Sequence, residues 1–392
     1  MTAKLPAIPE PVAALAAQMT AWRHEIHAWP ELGFEEVKTS ALVARELRAL
    51  GLEVHTGLGV TGIVAVIDSG KPGMSIGLRA DMDALPMDEV AGERGELPYR
   101  SQRPGVAHTC GHDGHTAALL GTARHLVAHP PASGRVVLIF QPAEEGGRGA
   151  IRMIEDGLLT RWPCDEVYAF HNMPALPTGE ASVRSGATLQ SLAVFEIAIE
   201  GVGGHAAAPH RANDPLQVAA RLAVDISAIV GRHIDPMEAA LINVGSLQAG
   251  TTHNIIPSTA SLSGTIRSLS KDVHDELLKR LRALCEGHAQ ISGCRIALEI
   301  PHSCPPCVNA PEQAALAAEA IADVLGADHV KTDLRAYPFS DDFSYLLEQW
   351  PGAYMFLGMD SAMCHHPTFR FDDGLLPVAA AVFDRIVRRR LG

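Results

Sequence analysis

The chain has 392 residues, enough for about two domains and a large core, and its 47% hydrophobic and 20% charged content is that of an ordinary globular protein. A formal charge of −13 argues against the clustered Lys and Arg that phosphate backbones require, so nucleic acid is not an expected partner. No apolar run reaches the ~18 residues of a membrane helix, no cationic stretch followed by an apolar block opens the sequence, and the seven cysteines are an odd, scattered set; no membrane contact and a cytoplasmic location with reduced thiols are expected.

Val12, Leu15, Met19, Trp22 and Ile26 recur at three-to-four spacing and predict an amphipathic helix over 11–29. His24-Glu25-Ile26-His27 inside it is not the zincin motif, because its histidines are three apart rather than four. The pair reads as helix surface or as outer support for a site. A second helix is expected over 35–50, stopped by Gly51. Gly57-Leu58-Gly59-Val60-Thr61-Gly62 fits G-x-G-x-x-G, but 60–67 is a β-branched strand. A dinucleotide fingerprint must open a helix, so nucleotide binding is not expected here.

Polar residues then gather at strand ends. A strand over 75–79 runs into Asp81 and Asp83, and a strand over 135–140 ends in Gln141-Pro142-Ala143-Glu144-Glu145-Gly146-Gly147. Another over 166–170 ends in His171-Asn172, and a helix over 116–127 lies between the first two. Strands alternating with helices imply a mixed, mostly parallel sheet sandwiched by helices, with ligands at the carboxyl ends of the strands.

From 190 the pattern changes to strand 192–200, helix 214–230, strands 240–246 and 258–267, helix 272–289 and strand 294–300. Asp214 is placed to cap the first of these helices and Pro215 to open it. That βαββαβ order is the ferredoxin-like split unit, expected as an α+β domain of 190–302 inserted into one catalytic domain of 1–189 and 303–392. Asn309 and Glu312 fit a capping box ahead of an Ala-rich helix. A buried strand over 354–357 and a helix over 376–391 finish the chain; Arg388-Arg389-Arg390 suit that helix's carboxyl end. Cys304-Pro305-Pro306-Cys307 lacks the second pair or following helix that a zinc or redox role needs.

The densest chemistry is His108-Thr109-Cys110-Gly111-His112-Asp113-Gly114-His115. Thiolate and imidazole are preferred donors to Zn(II) and its neighbours. With Glu145, His171 and the late His365-His366-Pro367, the candidate donors number five or more. A single catalytic zinc takes three protein ligands, whereas five suit two ions about 3.5–4 Å apart sharing a water. Consecutive side chains on an extended segment point opposite ways, so one of Glu144 and Glu145 would ligate and the other serve as general base.

RADMDALP (79–86), HTCGHDGHTA (108–117), QPAEEGG (141–147), FHNMP (170–174), GGHAAAPH (203–210), NIIP (254–257), GTIR (264–267) and HHPTFRFDD (365–373) carry a resemblance over essentially the whole chain. The sequence resembles the dinuclear metallopeptidase family of aminoacylases, hippurate hydrolases and plant auxin-conjugate amidohydrolases. Ala107 stands where that family commonly has Met. The resemblance implies a zinc-peptidase-like catalytic domain and an inserted lid and dimerisation domain. It implies Cys110, His112, Glu145, His171 and His365 as ligands of two divalent ions, with the thiolate a candidate bridge and His366 the alternative to His365. Mn2+ or Zn2+ are the first choices, Co2+ or Ni2+ the others. It makes Glu144 the general base, Asp83 the partner of a ligand imidazole, and His205 an oxyanion donor in the same or the other subunit. Asn254 and Arg267 would hold a substrate carboxylate. The implied reaction is hydrolysis of a small N-acyl-amino acid by a homodimer. A dipeptidase or carboxypeptidase, a deacetylase of a biosynthetic intermediate, and a binding protein without turnover are the alternatives.

Overall fold

The computed structural model describes residues 8–92, 95–146 and 148–392; Gly147, the last residue of the 141–147 motif, lies outside them. The chain divides into two compact units. One takes residues up to Thr188 with Val308–Arg335 and Asp341–Gly392; the other takes Leu189–Cys307 with Ala336–Ser340.

The larger unit is built on an eight-stranded mixed sheet in the order Val54–Leu58, Gly62–Asp68, Arg135–Gln141, Ser75–Asp81, Glu166–Met173, Gly352–Gly358, Ala181–Ser182, Val330–Lys331. Its four central strands are parallel to one another, and each outer one of the four pairs antiparallel with its next neighbour. Ser75–Asp81 and Gly352–Gly358 are buried along their whole length. A strand covered on both faces has no solvent side, which is why these segments lack polar alternation. The helix His112–Ala128 packs on Ser75–Asp81, on the helix Ala16–Ala28 and on the carboxyl-terminal helix Leu375–Leu391. Its Leu119, Leu120 and Leu126 are buried, each contributing about 2 kcal/mol.

Several local expectations change. The helix expected over 11–29 forms as Glu10–Ala13 and Ala16–Ala28. The helix expected from 116 starts at His112, so His112 and His115 sit in its first turn. The strand expected to stop at 170 runs to Met173 and carries His171 and Asn172 within it. The capping box at Asn309 and Glu312 does not form: the helix Pro311–Leu325 follows Ala310 without a side-chain cap. Asn309 instead clamps the backbone of Tyr354, accepting from its N–H at 2.7 Å and donating to its carbonyl at 3.0 Å. Val54–Leu58 and Gly62–Asp68 pair as an antiparallel hairpin, a setting foreign to a dinucleotide fingerprint.

The second unit is a four-stranded antiparallel sheet, Ala240–Ala249, Thr259–Ser268, Leu192–Glu200, Arg295–Cys304 in order, with helices Pro215–His233 and Lys271–Ser292. This is the ferredoxin-like split βαββαβ unit. Burial alternates along Leu192–Glu200, as it does where one face is covered. Leu222, Ile226, Leu277 and Leu281 from the helices meet Phe195, Ile197 and Ile266 from the sheet. Asp214 accepts the Leu216 N–H at 3.0 Å and Pro215 opens its helix. Among the described residues no helix is long and apolar enough to cross a membrane.

Candidate metal centre

Strand register sets the site. Asp81 lies opposite Gln141 and Arg79 opposite Ala169, so three parallel strands end level. Asp83, Glu144, Glu145 and His171 therefore collect over their carboxyl ends, where open α/β sheets bind ligands. Gly111 turns the chain into the helix that carries His112. It adopts a φ of 110°, and a Cβ there would collide with the side chain of Asn172; only glycine fits. Two donor-bearing segments hold non-glycine residues in the same half of φ space, Ala143 at 48° and His365 at 65°. Each costs on the order of 1 kcal/mol, and each is held by a backbone anchor. Ala143 donates its N–H to Glu36 Oε1 at 2.7 Å, and His365 its N–H to the Thr109 carbonyl at 2.8 Å.

The structure brings Cys110, His112, Glu144, Glu145, His171 and His365 together. Cys110 Sγ is 3.3 Å from His171 Nε2, and His365 Nε2 is 3.1 Å from Glu145 Oε1. His112 Nε2 lies 3.9 Å from a carboxylate oxygen of each of Glu144 and Glu145. The donor atoms of Cys110, His112 and His171 lie within 4.8 Å of one another, as do those of Cys110, Glu145 and His365 and those of His112, Glu144 and Glu145. Of the adjacent histidines, it is His365 that reaches this cluster; exposed His366 pairs its Nδ1 with Thr368 Oγ1 at 2.9 Å.

The imidazole tautomers show what the cluster suits. His112 Nδ1 faces the Asp83 carbonyl at 3.0 Å and Asp83 Oδ1 at 3.1 Å, so it carries the proton. His112 Nε2 is buried and without a hydrogen-bond partner. His171 Nδ1 likewise donates to the Asn172 carbonyl at 2.7 Å and turns Nε2 toward Cys110. An unsatisfied buried nitrogen costs about 1–3 kcal/mol. Imidazole nitrogens turned toward a thiol and two carboxylates form a donor set that fits divalent cations.

Beneath the donors lies a polar layer that sequence reasoning did not assign. Arg79, 1% exposed, donates to Asp81 at 2.6 Å, Gln141 at 2.9 Å, Asp341 at 3.1 Å and Asp342 at 3.3 Å. Gln141 donates to Asp342 at 2.6 Å, and Tyr354 to Asp341 at 2.5 Å. The carboxylates of Glu144, Asp341 and Asp342 crowd within 4.8 Å. Burial pushes the Glu144 carboxyl well above its ordinary range, and Asp341 and Glu145 push it further. Burial also raises Asp342 to about 8, against the pull of Arg79. Burial would raise Asp81 too, but His112, Arg79 and His115 hold it well below the usual carboxylate range. Arg79 and Asp81 belong to the 79–86 motif, whereas Asp341-Asp342 follows no recognisable pattern.

The remaining members of the 108–115 stretch support this arrangement. His115 bridges Asp81 at 2.6 Å and Asn172 at 2.8 Å. Asp113 accepts from Arg23 at 3.0 Å and pairs with His27 at 2.8 Å. His108 is buried with neither ring nitrogen hydrogen-bonded.

His205, Asn254 and Arg267 belong to the second unit. His205 and Asn254 line one open cavity of about 640 Å³ with Gly204, Gly250, Thr251 and Ile255. The Ala206 N–H donates to the Asn254 carbonyl at 3.1 Å. Half-buried Arg267 does not line this cavity; it donates from Nη1 to the Pro338 carbonyl at 3.0 Å.

A mixed, mostly parallel sheet that gathers thiol, imidazole and carboxylate donors at its strand ends defines a hydrolase of amide bonds in the metallopeptidase class. The chain belongs to peptidase family M20/M25/M40, whose sequence model matches residues 77–389. It is 37% identical over 385 residues to a hippurate hydrolase of Campylobacter jejuni, covering 98% of this chain and 99% of that protein. It is 35% identical over 380 residues to an N-acetyl-L-cysteine deacetylase of Bacillus subtilis, covering 95% of this chain and 88% of that protein. A crystal structure described as a dinuclear metal-binding peptidase of family M20 from Bacillus subtilis matches with a TM-score of 0.80 at 30% identity, covering 97% of this chain and 99% of that one. The family that the motifs suggested is the family matched.

Proposed function

We propose that the chain is a metal-dependent amidohydrolase that cleaves N-acyl-amino acids, hippurate-like or N-acetylated, to a carboxylic acid and a free amino acid. The buried, unpartnered Nε2 of His112 carries this reading. Its tautomer is locked by Asp83, and it faces the donor set of Cys110, Glu145, His171 and His365. Those five residues would hold two divalent ions, Mn2+ or Zn2+ first. Bound there, such ions supply a water of lowered pKa and a polarised carbonyl. Glu144 takes the proton of the attacking water and hands it to the departing amine nitrogen, work suited to a carboxylate whose pKa burial has raised. Asp83 holds the His112 ring in orientation. His205 serves the oxyanion, and Asn254 and Arg267 the substrate carboxylate. The inserted 190–302 domain acts as lid and dimerisation module of a cytoplasmic homodimer.

Supporting the substrate class, the hippurate hydrolase relative is matched over nearly its full length. The deacetylase relative keeps short acyl groups in view. The test is to reconstitute protein with Mn(II), Co(II) or Zn(II), count bound metal, and follow amine release from N-benzoyl-amino acids, N-acetyl-amino acids and dipeptides. Two equivalents of metal and a preference for N-acyl-amino acids are expected. Preference for dipeptides would move the chain to the peptidase reading, and full metal loading without turnover on any substrate would overturn both.

A further inference from the structure

A second thiol stands at the donor cluster and has no part in the function above. Cys364 immediately precedes His365. Its Sγ lies 3.5 Å from the carbonyl oxygen of Cys110, and Asn172 Nδ2 approaches it at 3.5 Å. The segments that carry the two thiols are tied through the backbone by the bond from the His365 N–H to the Thr109 carbonyl, 2.8 Å long. Main chain thus holds the Cys364 sulfur against the backbone of Cys110. Exposure differs between the partners: Cys110 is 7% exposed and Cys364 is partly open. The other five cysteines are buried.

We propose that Cys110 and Cys364 are an oxidation site, closing to an intramolecular disulfide in the presence of hydrogen peroxide. The more accessible sulfur, that of Cys364, attacks one peroxide oxygen. The O–O bond breaks, the sulfur loses two electrons to become a sulfenic acid, and the second oxygen leaves as water. The sulfur of Cys110 then attacks the sulfur of Cys364. The S–S bond forms, the S–O bond breaks, and a second water leaves with the remaining thiol proton. Two thiols and one hydrogen peroxide give one disulfide and two waters.

Linkage needs only the two sulfurs. Its consequence rests on the function proposed above: a sulfur in a disulfide is no longer a thiolate and no longer a metal ligand, so oxidation would disarm the centre reversibly.

The experiment treats the full-length protein, freed of metal by a chelator, with stoichiometric hydrogen peroxide. Non-reducing digestion and mass spectrometry follow, alongside free-thiol counts and metal uptake. A linked peptide pair joining Cys110 to Cys364 is expected, with two titratable thiols lost, both reversed by dithiothreitol. Cys364→Ser is expected to give no linked pair and no loss of thiol under the same treatment. Loss of thiols without this link, or a link confined to Cys304 and Cys307, would overturn the proposal. Metal uptake should fall about 10-fold or more in the linked protein. The link with undiminished uptake would sustain the oxidation site and remove Cys110 from the ligand set.

Discussion

Asp83 holds His112 with two acceptors at once, its carboxylate Oδ1 3.1 Å and its backbone carbonyl 3.0 Å from the same ring nitrogen, Nδ1. The second carboxylate oxygen accepts the Glu145 N–H at 2.9 Å. One side chain therefore fixes the tautomer of an imidazole and the backbone of a neighbouring carboxylate donor. Partners of this kind change metal affinity about 10–100-fold. Asp83→Ala should weaken metal binding by that factor, read by competition with a chromophoric chelator. An unchanged affinity would take Asp83 out of the site's construction.

Glu144 is assigned chemistry rather than ligation, and Glu144→Gln separates the two. The amide keeps the size of the side chain and loses the ability to carry a proton. Metal content measured by atomic absorption should stay at the wild-type level, while kcat falls about 100- to 10,000-fold. Turnover close to wild type would place the base elsewhere.

Arg79 is the cation of the buried layer, with Asp81, Asp341 and Asp342 around it. Removing one partner from a buried ionic network leaves the others uncompensated, a loss of about 3–5 kcal/mol. Arg79→Met should lower the urea midpoint of metal-free protein by a corresponding amount. A loss under about 1 kcal/mol, ordinary for a surface substitution, would show that the carboxylates are neutralised without it.

Candidate donors close together along the chain were legible because residue type and placement agree: Cys110 and His112 lie where a helix begins, and Glu144-Glu145 follows an apolar strand. The start of that helix was not. Glycines at 111 and 114 weaken local helix propensity, so sequence pattern begins the helix after them. Tertiary contact overrides this, since His112 is held by Asp83 and a Cβ at Gly114 would strike Phe371. Asp341 and Asp342 were invisible for a different reason. Their partner Arg79 is more than 250 positions away, and no spacing rule links such residues. Asn309 shows the limit of a correct pattern: its spacing to Glu312 fits a cap, but the buried Tyr354 backbone takes its amide instead.

His27 offers a stability signal at a distance from the donors. Its Nδ1 lies 2.8 Å from Asp113 and its Nε2 2.9 Å from Glu89, so both ring nitrogens face carboxylates and both carry protons. Burial opposes that charge, but the bonds to Asp113 and Glu89 prevail and raise its pKa to about 9. A histidine whose folded pKa exceeds its unfolded value stabilises fully below the unfolded value, near 6.5. That stabilisation is lost as pH rises through about 9. At about 1.4 kcal/mol per unit, the effect is on the order of 3 kcal/mol. Chelated protein should therefore show urea midpoints that fall from pH 6.5 to 9.5, the chelator removing the separate pH dependence of metal binding. His27→Gln should be less stable at pH 6.5 and flatter across the range. Equal slopes for the two proteins would show that His27 is not charged in the fold.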